Sequence, residues 1–167
     1  MTPSWDLFII LFFVIMTVYG LLLGRGRVFN ILINTYVGYV IGTELGNFAY
    51  DYLIKASSIS HSISISLFGA KLLVFVATIF ILTMRTELTG ANDDSQGSSI
   101  YTAGYGFLAA GLMLSSIMSF MSEADRLNLF NSSHLAAQVY DYRYFWLIGP
   151  IAIIVIASVL GRLFFRR

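Results

Sequence analysis

The chain consists largely of apolar stretches about twenty residues long, separated by short polar segments. The hydrocarbon core of a bilayer is about 30 Å thick, so a helix needs about 20 such residues to cross it. Stretches of this length occur at residues 7–23, 28–50, 62–84, 101–121 and 145–165. In lipid, a single apolar stretch satisfies its own backbone hydrogen bonds only as a helix. The sequence therefore predicts an all-α fold, a polytopic transmembrane helix bundle of about five spans that forms a single integral membrane domain over residues 1–167.

The composition favours a membrane protein for an independent reason. Charged residues make up only 11% of the chain and apolar residues 57%, whereas about 25% of the residues in a soluble domain are charged. The formal net charge of +1 argues against a nucleic-acid partner, because binding phosphates requires a marked excess of basic residues.

The sequence contains no motif that would indicate an enzyme. There is no nucleophile elbow, zinc-protease motif or phosphate-binding glycine loop. The chain has no cysteine, and His61 and His134 lie far apart without neighbouring carboxylates. We therefore expect a non-enzymatic protein with no cofactor and no metal site.

Basic residues in the loops predict the orientation, because cytoplasmic loops are enriched in Lys and Arg. With five spans, one side of the membrane receives Arg25, Arg27, Arg85, Arg162, Arg166 and Arg167. The other side receives Lys55, Arg126 and Arg143. This asymmetry predicts an external N-terminus and a cytoplasmic C-terminus, with Arg25, Arg27, Arg162, Arg166 and Arg167 as the topology determinants.

Between the last two spans, residues 132–140 fit either a short surface helix with a serine N-cap or an ordered loop.

Small residues recur at helical spacing in two of the predicted spans. The second span carries Asn34, Gly38, Gly42 and Gly46. The fourth span carries Gly111, Ser115 and Ser119, with Gly106 and Ala110 as a neighbouring pair. Such stripes let helix backbones approach closely in a membrane. They predict a glycine-zipper type of packing, either within one subunit or between copies, with the second, third and fourth spans forming a tight inner bundle.

Glu44 and Lys71 are ionisable residues inside predicted spans. A charge at the centre of a bilayer costs about 3 kcal/mol or more, so such residues are functional-site candidates. At about 1.5 Å per residue, both lie at a similar depth below the same interface. The sequence therefore predicts an intramembrane ion pair, with a snorkelling Lys71 and a protonated or water-exposed Glu44 as the alternative.

The opening of the chain resembles the colicin V production protein (CvpA) family over about residues 1–120. The similarity lies in Ser4-Trp5-Asp6-Leu7, an apolar run, and then the segment from Gly20 to Val28 with its Gly-Arg-Gly-Arg turn. The glycine-rich segment 104–112 is also similar to the family, although Ala109 and Ala110 stand where that family usually has an arginine. The resemblance implies a bacterial cytoplasmic (inner) membrane protein linked to colicin V production, and it implies no catalytic residues.

These observations lead to one expected function and two alternatives. We expect a membrane scaffold or assembly component whose partners are the lipid bilayer and either further copies of the chain, as a homo-oligomer, or other membrane proteins. The first alternative is a small channel, or the membrane subunit of a transporter, that uses Glu44 and Lys71. A holin-like pore former is the second alternative, and the number of spans argues against it.

Overall fold

A computed structural model describes residues 4–57, 66–88 and 99–164. Within these residues the chain forms seven helices and no strand: α1 (Trp5–Leu23), α2 (Arg25–Ser57), α3 (Leu67–Leu88), α4 (Ser99–Phe120), α5 (Glu123–Ser132), α6 (His134–Asp141) and α7 (Arg143–Phe164). The all-α prediction is therefore confirmed for the described part of the chain. The single-domain prediction stays a prediction.

The connection between α1 and α2 is a single residue. Gly24 adopts a φ of 82°, which glycine tolerates because it has no side chain. Its N–H donates to the Gly20 carbonyl, and its own carbonyl accepts from the N–H of Val28. The sequence predicted a four-residue turn and a helix from residue 28. Instead, α2 begins at Arg25 and extends to Ser57, 33 residues in all.

Within the described ranges, three helices are long and apolar enough to cross a membrane: Trp5–Leu23, Leu67–Arg85 and Thr102–Phe120. The apolar portion of α7 in the described residues, Arg143–Ile153, is shorter, and α2 is more polar. The third predicted span starts later than expected, because the Ser66 hydroxyl accepts the Gly69 N–H and the helix begins at Leu67. Residues 62–65 of that predicted span lie outside the described residues.

The segment between α4 and α7 contains two short helices. Ser133 caps α6 by accepting the Ala136 N–H at 3.0 Å, so of the two alternatives for residues 132–140 the structure has the short helix with a serine N-cap, which begins at His134. The helix α5 was not predicted from the sequence. The sequence feature that marks the start of α5 is Ser122 followed by Asp125. The Ser122 hydroxyl accepts the Asp125 N–H, as an N-cap residue does.

α4 is the central helix of the bundle. About two-thirds of the residues in its apolar stretch are buried, whereas only 11% are buried in the apolar stretch of α1 and 11% in that of α3. It contacts α1, α2 and α7 most extensively, whereas α3 packs mainly on α2. The expected inner bundle of the second, third and fourth spans is therefore wrong in one respect: α1, rather than α3, packs on the central helix.

Two glycines bring α1 and α4 into backbone contact. A Cβ atom added to Gly106 would lie 2.7 Å from the Met16 carbonyl oxygen, and one added to Gly20 would lie 3.2 Å from the Gly106 Cα. The distance at Gly106 is shorter than real Cβ atoms show, and the distance at Gly20 is tighter than most real Cβ contacts. The crossing of these two helices therefore requires glycine, as is usual where helix backbones touch in membranes.

The Gly106→Ala substitution should destabilise the protein by about 1–3 kcal/mol, the usual cost of overpacking a fixed core. Thermal unfolding in detergent micelles measures this change. The matched control is Gly104→Ala in the same helix, where an added Cβ has no neighbour within 4 Å. The control should unfold at or above the wild-type temperature, since alanine favours a helix over glycine by about 1 kcal/mol. Equal behaviour of the two variants would contradict the backbone contact.

Candidate functional site on the second helix

One face of α2 packs closely on α3 through the glycine stripe. A Cβ added to Gly38 would lie 3.0 Å from Ile79 and 3.3 Å from Phe75. At Gly42 it would lie 3.1 Å from Phe120 of α4 and 3.3 Å from the Phe75 Cβ. The stripe is thus where α2 meets α3 and, at Gly42, the end of α4.

The two ends of this stripe fix the register of α2 against α3. Asn34 donates a hydrogen bond from its side-chain amide to the Thr83 hydroxyl at 3.2 Å. At the other end, Gly46 lies against Lys71, whose Cα would be 3.1 Å from an added Cβ. Residues 34–46 therefore run antiparallel to residues 83–71, and the two helices share the same depth over this length.

The small residues of α4 contact several neighbours and do not form one continuous stripe. Gly106 contacts α1, whereas the Trp146 ring of α7 packs directly over Gly111. Ala110 is fully buried. The Ser115 and Ser119 hydroxyls donate to carbonyl groups of their own helix, at 3.1 and 2.8 Å.

Glu44 and Lys71 lie at a similar depth, but the structure does not bring their side chains together. Lys71 packs against Gly46. Glu44 precedes Gly46 by two residues, which is about 200° around a helix, and its side chain is exposed. Glu44 therefore projects from the side of α2 that faces away from α3.

The exposed face of α2 differs from that of the other long helices. It combines apolar side chains, of which Val40 is 57% and Phe48 72% exposed, with the exposed polar residues Glu44 and Asn47. The exposed positions of α1 from Trp5 onward are all apolar or aromatic. The same holds for the exposed positions of α3 from residue 67 to 84. Among the described side chains of these three helices, only those of α2 include a carboxylate amid an apolar exposed surface.

The predicted topology arginines are distributed over described and undescribed parts of the chain. Arg25 is the first residue of α2, and Arg27 follows in its first turn with an exposed side chain. Arg162 belongs to the last turn of α7, and its side chain lies outside the described ones. Arg166 and Arg167 lie outside the described residues.

A polar contact that was not predicted from the sequence ties the start of α1 to α6. The Asp6 carboxylate accepts a hydrogen bond from the Ser133 hydroxyl at 2.5 Å and another from the Leu135 N–H at 3.2 Å. An acidic residue is favourable at the N-terminus of a helix such as α6 because backbone N–H groups point toward it. The start of α1 and the α5–α6 segment consequently lie at the same end of the bundle.

Two further polar contacts attach α7 to the bundle. The Trp146 indole N–H donates to the Val139 carbonyl of α6 at 3.0 Å. The Tyr36 hydroxyl of α2 donates to the Leu147 carbonyl. That carbonyl lies next to the Trp146 carbonyl, which loses its helical donor because Pro150 has no N–H.

Comparisons with protein families, curated proteins and solved structures find no match for this chain.

A double-mutant cycle between Asp6 and Ser133 tests the contact between α1 and α6. Hydrogen bonds to charged groups contribute about 1.5–3 kcal/mol, so Asp6→Ala should lower the free energy of unfolding by that amount. Asp6→Ala and Ser133→Ala together should cost clearly less than the sum of the single variants. The matched control is Ser132→Ala, since Ser132 bonds only to the Leu129 carbonyl of its own helix. Its effect should add to that of Asp6→Ala, and additivity in the Ser133 cycle would contradict the contact.

Proposed function

We propose that this protein is a non-enzymatic membrane scaffold or assembly component that binds a partner through the exposed face of α2. The single observation that carries the proposal is the exposed Glu44 carboxylate on a helix whose opposite face is packed on α3. The partner is either a second copy of this chain or another membrane protein that offers a polar group to Glu44.

The depth of Glu44 makes this exposure unfavourable in an isolated subunit. α2 is paired along residues 34–46 with α3, whose apolar window Leu67–Arg85 is long enough to cross a bilayer. Lys71 lies four residues into that window, about 6 Å at 1.5 Å per residue, and Glu44 lies at a similar level. Charged residues within spans almost always face the interior of a bundle or pair with another group. A partner that covers this face removes the carboxylate from lipid.

The full topology is part of the proposal. If α2 and α7 also cross the membrane, the chain has five spans, an external N-terminus and the α5–α6 segment on the outside. The distribution of Lys and Arg among the loops supports this orientation. The resemblance to the CvpA family supports a bacterial inner-membrane location, and it rests on the sequence motifs of the first 120 residues, which include the Gly24 turn.

A bulky substitution on the exposed face of α2 should disrupt the assembly. We expect Val40→Trp to shift the intact complex, extracted in native membrane patches and weighed by mass spectrometry, toward single chains. The control is Val14→Trp on α1, because Val14 is 53% exposed, much like Val40 at 57%. Val14→Trp should leave the mass unchanged. A wild-type protein that is extracted as a monomer without partners would refute the scaffold function.

Glu44→Gln separates the scaffold from the alternative ion or solute pathway. The neutral amide keeps the size and hydrogen-bonding capacity of the side chain, so a scaffold should retain its assembly. A proton- or ion-coupled pathway through Glu44 should instead lose flux in liposomes. The scaffold is supported if the wild-type protein shows no flux and Glu44→Gln retains the assembly. The pathway is supported if the wild-type protein shows flux and Glu44→Gln abolishes it.

A further inference from the structure

A polar cavity lies between α2, α4 and the start of α7, apart from the exposed face of α2. Its volume is about 290 Å³, at the small end of ligand sites and suited to a polar headgroup or metabolite. Six hydroxyl groups line it, those of Tyr39, Ser115, Ser116, Ser119, Tyr140 and Tyr144. Arg143 supplies the cationic group of the lining, and no acidic residue is part of it.

Two guanidinium groups pack on Tyr140, which lines this cavity, and of the two only that of Arg143 belongs to the lining itself. Arg143 lies 4.8 Å from the centre of the Tyr140 ring and 4.6 Å from that of Tyr144. Arg126 of α5 lies 4.7 Å from the Tyr140 ring. Within the described part of the chain, neither arginine forms a salt bridge with a carboxylate. Asp141, two residues before Arg143, interacts electrostatically with its guanidinium, so the positive charge at the edge of the cavity is partly compensated, and aromatic faces hold it in place.

The hydrogen-bond donors and acceptors of the lining are arranged in two groups. The hydroxyls of Ser116 and Ser119 donate to carbonyls of α4, at 2.7 and 2.8 Å, so they offer oxygen lone pairs to the cavity. Arg143 donates to the Tyr144 hydroxyl at 3.2 Å, which leaves the Tyr144 proton and most of the five guanidinium N–H groups for a ligand. One side of the cavity therefore donates and the other accepts.

We propose that this cavity binds a phosphate ester that also carries a hydrogen-bond donor. The phosphate lies against Arg143 and the tyrosine hydroxyls, because guanidinium groups match phosphate in charge and geometry. A hydroxyl or ammonium group of the same ligand donates to the serine oxygens. A phospholipid headgroup and a soluble phosphate ester share this chemistry.

The surroundings of the cavity suit a lipid. Tyr144 is 62% exposed, and Ile148 and Ile151 follow at helical spacing on the same face of α7, 62% and 52% exposed. Acyl chains can lie along this apolar face while the headgroup enters the cavity beside Tyr144. Tyrosine is also enriched at the membrane interface, where headgroups lie.

Native mass spectrometry of the full chain in detergent tests this assignment with three probes. These are phosphatidylglycerol, diacylglycerol with the same acyl chains and no phosphate, and glycerol phosphate as the soluble ester. We expect tight retention of phosphatidylglycerol and weak retention of diacylglycerol. Arg143→Gln should weaken phosphatidylglycerol binding about tenfold or more, as expected for the loss of charged hydrogen bonds, and leave diacylglycerol unchanged.

Two further variants make the result specific. Ser119→Leu fills the cavity without changing its charge and should also reduce phosphatidylglycerol binding. The charge-matched control is Arg27→Gln, at the start of α2 and away from the cavity, which should bind like the wild type. If glycerol phosphate binds as tightly as phosphatidylglycerol, the phosphate assignment holds and the natural ligand is soluble. If Arg143→Gln binds phosphatidylglycerol like the wild type, or if neither phosphate ester binds better than diacylglycerol, the assignment is overturned.

Discussion

The contact of α4 with its neighbours is the constraint on which the bundle depends. In a bilayer, apolar side chains gain little by leaving lipid, so helices associate mainly through close packing and a few polar contacts. α4 meets this requirement by presenting a glycine to each of two helices, Gly106 to α1 and Gly111 to the Trp146 ring of α7. The α2 glycines play the same part toward α3. α3 therefore joins the bundle mainly through α2 and retains a largely exposed surface.

Polar contacts complete the packing at the end of the bundle that holds α5 and α6. Asp6 of α1 bonds to Ser133 and Leu135, and Trp146 of α7 bonds to Val139. Both contacts use α6, whose Ala136 and Val139 are buried against the bundle. A helix of eight residues is too short to be stable alone. α6 is therefore held by its neighbours, and in turn fixes the entry of α7 beside the polar cavity.

The sequence predicted the helices well and their mutual arrangement poorly. Apolar length alone located the cores of α1, α3, α4 and α7, because length and composition decide what crosses a bilayer. The glycine stripe of α2 was recognisable from its four-residue spacing. Its partner was not, because small residues indicate close approach without indicating to what. In α4, Gly106 and Gly111 are five residues apart, about 140° around the helix, and so they face different neighbours.

The separation of Glu44 from Lys71 follows from the same geometry. The position of a residue along the helix axis sets its depth, and by depth alone Glu44 and Lys71 match. Rotation about the axis decides contact, and Glu44 lies nearly opposite Gly46, the residue against which Lys71 packs. The glycine stripe and Glu44 therefore cannot both face α3. Because the stripe already fills one side of α2, the carboxylate belongs to the other side, where it is exposed.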